Sequence, residues 1–418
     1  MRDISFEKRL PSSIINTTPN IFNIYLYLIF FFIIFSSGAI LDQKYLNFSQ
    51  IIVLGLCIPI FFLSRNFNYK QLFFLTLVIP FFIVINFFNY DDTIINYLLF
   101  IIKFIFIFFL VRYCIIKNID IFKIINNLII GICIYSIFTY VFLDIMKIFP
   151  YYMEVINEKP YKVFMGFHFH WQEVNWFSWR VVRNNSIFWE PGVFQIYISF
   201  SLFYQLFIKE KIRKSVLILL VLNMFTTFST TGFLIVLTLL TFKYLKQKPK
   251  TNIGLIFKIY IVPIIIITAI IIGLQIFNQK VNNGTVSYDL RTNDLNIGID
   301  LFFQKPFLGW GYLNNNEFKA LTGTSNNSNG LVSMMFHQGM MGLVFHTFPI
   351  LVLILSLFKN KGLMVALSFG VFYFVSAATE PLMYANFFNV FISMGFIAIF
   401  ERKLFYSWTK KENVLMEY

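Results

Sequence analysis

Apolar runs of Ile, Leu, Phe and Val alternate with short polar connectors along most of the chain. A run of about twenty apolar residues with few charges reads as a helix long enough to cross the hydrocarbon of a bilayer, and shorter runs fit where a helix is packed in a bundle. The pattern predicts twelve such helices, over residues 21–41, 51–63, 72–88, 94–112, 124–149, 190–207, 216–228, 232–244, 254–277, 339–358, 363–378 and 384–400. Two polar stretches are too long to be simple connectors, residues 150–189 and 278–338.

The connectors also assign sides. Short loops on the cytoplasmic side are enriched in Lys and Arg. "RNFNYK", "RYCIIKNIDIFK", "KEKIRK", "KYLKQKPK", "KNKG" and the tail "ERKLFYSWTKKEN" all fall on the side of the amino terminus, whereas "LDQKYLN" and "FNYDD" fall opposite. Both termini are predicted cytoplasmic, and both long loops lie outside. The amino-terminal segment is basic, and its apolar run lacks a small-residue cleavage site, so it is expected to be a retained anchor.

Composition agrees with this pattern. The chain has 418 residues, 58% of them hydrophobic and 13% charged, with a mean hydropathy of +0.71. These values predict one all-α polytopic membrane bundle over residues 1–418 and exclude a soluble single-core protein. The net charge, 34 − 20 = +14, is a topology signal; no basic, aromatic-interleaved soluble segment argues for nucleic acid. Cys57, Cys114 and Cys133 lack metal or disulfide spacing and read as packing residues.

Candidate chemistry concentrates in the outer loops. In "RVVRNNSIFWEPGVFQIYISF", Pro191 marks the first position of a helix and Glu190 suits its dipole. That leaves Arg180 and Arg183 to be explained. A guanidinium near the bilayer surface is a headgroup anchor or a fork for a phosphate. Arg291 opens a second outer stretch, "RTNDLNIGIDLFFQKPFLGWGY". Trp171, Trp176, Trp179, Trp189 and Trp310 also lie in these loops, as an interfacial belt or as a surface for stacking sugar rings. His337 stands at the outer end of a predicted helix, where it is either an interfacial histidine or a proton acceptor. His168-Phe169-His170 lacks a carboxylate cluster of known metal spacing. Lys103 is the clear mid-span charge, and no chain of acids and bases runs through several helices as a proton-coupled transporter would need.

Four segments, in order, resemble a known family. "RNNSIFWEPGVF" is similar to the Arg, then Glu-Pro or Asn-Pro, entry to a span in the superfamily of O-antigen polymerases (Wzy-type) and O-antigen ligases. "FSTTG" resembles the Ser-rich break between two short spans. Arg291, Pro306, Gly309 and Gly311 match an Arg followed by a Pro-hydrophobic-hydrophobic-Gly-x-Gly turn. "SNGLVSMMFHQGMMGL" resembles the segment in which ligases keep a His-Asn pair; here Ser328 replaces that histidine and Asn329 keeps the Asn.

The resemblance implies a GT-C-like integral glycosyltransferase of the bacterial inner membrane. It would join oligosaccharide repeat units carried on undecaprenyl diphosphate at the periplasmic face. The donor is already activated, so neither a metal nor a nucleotide cofactor is expected. The implied partners are the lipid-linked glycan and the bilayer, with a chain-length regulator protein as a further candidate. Arg183 and Arg291, supported by Arg180, are expected to hold the diphosphate, with Glu190 and His337 as candidate bases and Asn329, Trp189 and Trp310 as substrate contacts. Ser328 and Glu190-Pro191 favour a polymerase; His337 keeps a ligase open, and a transporter or lipid flippase is the reading from another class.

Overall fold

The computed structural model describes residues 19–44, 48–64, 94–156, 159–164, 167–170, 172–176, 179–247, 286–324 and 327–406. The framework is helical: α1 Pro19–Phe35, α2 Ile40–Lys44, α3 Phe48–Leu63, α4 Ile94–Ile116 and α5 Ile121–Thr139, then α6 Pro191–Phe203, α7 Lys214–Thr226 and α8 Thr230–Lys246. After these come α9 Val286–Gln304, α10 Asn316–Thr322, α11 Gly330–Lys361, α12 Leu363–Thr379 and α13 Asn386–Phe400. α5 and α6 run on into π-helical turns, Tyr140–Ile145 and Tyr204–Ile208.

Each predicted span within the described residues coincides with a helix; those at 72–88 and 254–277 lie outside the described residues. Leu98–Ile116, Ile121–Ile145, Pro191–Ile208 and Gly330–Lys361 are long and apolar enough to cross a membrane, and several shorter apolar helices pack among them. The chain is a helical membrane protein.

The bundle closes on aromatic side chains, which bury large areas and interlock at offset or edge-on angles. Phe200 of α6 meets Phe372 of α12 at 5.6 Å and Phe391 of α13 at 5.5 Å between ring centroids. At one end the basic residues gather. Lys209 lies within electrostatic reach of Arg213 and Lys123, Lys246 within that of Lys361, and Arg112 pairs with Glu401 at 2.8 Å. Lys103 is satisfied by Gln50 and by the nearby Asp42, whose carboxylate accepts from the Ser49 amide at the start of α3.

The opposite end differs from the all-α expectation. Loop 150–189 carries five short strands, β1 Tyr152–Ile156, β2 Lys159–Phe164, β3 His168–His170, β4 Glu173–Trp176 and β5 Trp179–Val182. β1, β2 and β3 form an antiparallel sheet, and β4–β5 a separate hairpin closed by Trp176 opposite Trp179. The sheet rests on α2 through a small core of Ile40, Ile156, Tyr161 and Val163. The physical reason is local: "YMEVI" and "YKVF" are short runs rich in aromatic and β-branched residues, the composition that favours paired strands. The second loop, by contrast, is built of helices α9 and α10.

Candidate functional site

After β5 the chain turns inward as irregular backbone, residues 183–190, before α6 begins. Non-helical backbone inside an apolar bundle must have its polar groups met by protein. Asn184 ties the segment to two helices. It is fully buried; its Nδ2 donates to Ser136 Oγ at 2.9 Å and to Thr226 Oγ1 at 2.9 Å, and its Oδ1 accepts from the Ser186 amide at 3.0 Å. The Asn184 amide donates to the Thr226 carbonyl at 2.9 Å, and Ile40 donates to the Ile187 carbonyl at 3.0 Å. The segment is thereby fixed between α2, α5 and the α7–α8 break. At that break Ser229 caps α8, accepting from the Gly232 amide at 3.3 Å and donating to Gln195 Oε1 on α6 at 2.8 Å.

This seating delivers Arg183. Its Nε donates to the Thr227 carbonyl at 3.0 Å and its Nη1 to Gln172 Oε1 at 2.7 Å. Burial lowers its pKa; Glu190 and Glu380 oppose that shift and Arg291 adds to it, so these three charges lie within its electrostatic reach. A guanidinium stays protonated through such a shift.

Arg291 arrives from α9. Its Nη2 stands 3.7 Å from Glu380 Oε1, and its Nη1 donates to the Thr379 carbonyl at 3.4 Å. Arg291, which the sequence places in a different loop, therefore lies with its partner Glu380 within electrostatic reach of Arg183. Glu190 occupies the N-cap position of α6 without a side-chain cap bond, and Pro191 takes the first helical position as predicted.

Glu380 is the residue the sequence reading missed. Its carboxylate is 3% exposed and lies over the first turn of α6: a Cβ on Gly192 would stand 1.9 Å from Oε1. Its backbone packs against Gly330, the first residue of α11. The signal was present, because Glu380-Pro381 repeats the spelling of Glu190-Pro191 and places a carboxylate inside an apolar run.

The remaining candidates serve surrounding structure. Asn329 caps α11, its Oδ1 accepting from the Val332 amide at 3.1 Å. His337 is 1% exposed, with Nε2 2.9 Å from Asn315 Oδ1 and Nδ1 3.3 Å from Ser333 Oγ. It lies on α11 seven residues beyond Gly330, about 10 Å along the axis from the level of Glu380 at 1.5 Å per residue. Trp310 donates from Nε1 to the Leu301 carbonyl at 2.9 Å and carries Lys305 Nζ over its ring at 4.0 Å. Trp189 is half-buried against the bundle and the small sheet core. Arg180 sits on β5 opposite Asn175.

The predicted Pro-Phe-Leu-Gly-Trp-Gly turn docks on α11 where that helix breaks. Gly339 has a left-handed φ of 63°, and the Met340 amide donates to the Pro306 carbonyl at 2.7 Å. The break falls at the predicted start of the span, and nine further residues of helix precede it, 330–338. Beside the arginine site, a cavity of about 870 Å³ opens between the strands and the α7–α8 break, lined in part by Tyr140, Asp144, Tyr151, Lys162, Glu173 and Thr226. Among the described residues no cluster of His, Cys, Asp and Glu is arranged to hold a metal ion.

Fold and geometry together define a helical membrane protein with a cluster of arginines and glutamates at the end opposite its lysine-rich end. Residues 215–347 match the model of a family described as O-antigen ligase. The resemblance read from the motifs is thus supported over that stretch, which contains Arg291 and His337, whereas Arg183, Glu190 and Glu380 lie outside it. No curated protein matches the chain.

Proposed function

We propose that this protein is a membrane glycosyltransferase that joins oligosaccharide repeat units carried on undecaprenyl diphosphate, at the periplasmic face of the inner membrane. The observation that carries the reading is that Arg183 and Arg291, from separate loops, lie within electrostatic reach of each other, with Glu380 over the first turn of α6 beside Arg291. Guanidinium forks and the first turn of a helix are both suited to phosphate oxygens. The match to the O-antigen ligase family supplies the class of reaction.

In the step proposed, the acceptor hydroxyl oxygen bonds to the anomeric carbon of the donor sugar as the bond from that carbon to the diphosphate breaks. The diphosphate leaves with the electron pair, and the arginines offset the charge that develops on it, where fixed cations contribute most to rate. The hydroxyl proton passes to a carboxylate. Glu190 is the sequence candidate that shares the field of Arg183, while His337 lies deeper along α11. The neighbouring cavity has the volume of an ordinary ligand site, with phenol rings and the Lys162–Glu173 ion pair at 3.9 Å along its wall, a mixture that suits sugars.

Ser328, in place of the histidine that ligases keep, favours polymerisation. The family's description and the polar pocket around His337 favour the second reading, transfer of finished polysaccharide to lipid A core. Protein reconstituted without any gradient and given purified lipid-linked repeat units should produce a ladder of elongated products on a gel. Arg183→Ala and Arg291→Ala should each abolish it at normal expression. A ladder that persists in both variants refutes the diphosphate site; activity only with a lipid A core acceptor selects the ligase; gradient-dependent movement without elongation selects a transporter or flippase.

A further inference from the structure

Two arginines in a partly buried site need counter-charge when no substrate is bound; Glu190 and Glu380 both lie in reach of Arg183, and Glu380 is the one that pairs with Arg291. The Glu380 side chain is buried, whereas that of its partner Arg291 is 46% exposed. Their closest approach, 3.7 Å, is longer than the 2.7–2.9 Å of a good charge-assisted hydrogen bond. Arg291 is therefore loosely held by a firmly seated anion. That anion fills the space over Gly192, at the second position of α6, where backbone N–H groups and the helix dipole favour negative charge. Arg183 also lies within its electrostatic reach. A carboxylate stands where the site's positive charge converges.

We infer that Glu380 is an internal counter-anion for this site, and that a diphosphate ligand must compete with it for Arg291. The inference rests on the proposed reading that the ligand is a lipid diphosphate, and it adds a specific role for a residue outside the matched family segment. A diphosphate carries more charge than one carboxylate and reaches Arg291 from its exposed side. Binding should draw the guanidinium off Glu380, so the ion pair opens as the site fills.

The test is direct binding of farnesyl diphosphate to the full chain in phosphatidylcholine nanodiscs. Wild type is compared with E380Q, E380D, R291A and the double variant R291A/E380Q. Glutamine keeps the shape over Gly192 and removes the charge, so E380Q should bind about tenfold tighter, in the usual range of coupling between two sites that share one partner. E380D, which retains the charge, should show no such gain. In the R291A background the E380Q gain should vanish, because both anions act through the same arginine. A merely structural Glu380 would give weaker binding in E380Q. Equal or weaker binding by E380Q, or a gain that survives R291A, overturns the inference while leaving the diphosphate site standing.

A second measurement needs no variant. A cryo-electron microscopy structure of the wild type with farnesyl diphosphate should show Arg291 withdrawn from Glu380. An unchanged pair with ligand bound overturns the inference. Absence of any diphosphate binding by the wild type overturns the functional reading and this inference together.

Discussion

Asn184→Ala tests how the site is held in place. Asn184 is fully buried and joins three pieces of structure: Ser136 on α5, Thr226 at the end of α7, and the amide of Ser186 in its own segment. Alanine removes both donors and the acceptor and leaves the Ser186 amide without the oxygen it now uses. Thr226 Oγ1 would still donate to the Asn223 carbonyl at 2.7 Å, so its loss is partial. The Ser186 amide and Ser136 Oγ are left unmet and Thr226 Oγ1 half-met, and at the lower end of about 1–3 kcal/mol per unmet buried group the total is about 3 kcal/mol. At about 2 °C per kcal/mol for a large domain, the apparent unfolding temperature in detergent should fall by about 6 °C. Elongation should fall further than stability alone explains, because Arg183 is the next residue and its Thr227 anchor is next to Thr226. Differential scanning fluorimetry and the gel ladder, run on the same preparations below the transition, separate the two effects. A variant that melts within a degree of wild type and elongates normally would refute the claim that this segment's polar groups fix the site.

Other substitutions probe other links. Arg183→Lys keeps a charge but cannot reproduce the fork to the Thr227 carbonyl and Gln172, and elongation should fall more than tenfold with expression unchanged. Gly339→Ala forces a side chain onto a φ of 63° with the Phe307 carbonyl 2.3 Å from the new Cβ; a cost of about 3 kcal/mol or more should appear as a loss of monodisperse protein on size exclusion. Arg112→Met strands the Glu401 carboxylate among buried neighbours at a cost of about 3 kcal/mol, and Arg112→Met with Glu401→Leu should recover most of it in thermal unfolding, since both halves of the pair are under 10% exposed.

The helices among the described residues were legible because apolar runs report burial directly, without tertiary knowledge. Local punctuation was legible too: Pro191 begins α6, Ser229 marks the break before α8, and Gly309 and Gly311 form the turn that docks at Gly339. Roles set by long-range contact were not. Asn329 entered the candidate site through its motif and is found capping a helix, a job that any loop-to-helix Asn can take. Glu380 was passed over because its neighbours read as an ordinary span boundary; only the packing of α12 onto α6 and α11 brings it to the arginines. The strands of the first loop rest on short runs of aromatic and β-branched residues, too brief to stand out against the dominant helical signal.

Arg183 takes its firmest backbone anchor from the carbonyl of Thr227 rather than from that residue's hydroxyl, which is turned to the Met224 carbonyl at 2.7 Å. The same hydroxyl accepts from the Ser229 amide at 3.3 Å, so residue 227 steadies the cation with its backbone and the helix break with its side chain. Thr227→Ser, which keeps both roles, should leave the guanidinium where it is, whereas Thr227→Val should loosen the break at Ser229 before it touches the arginine.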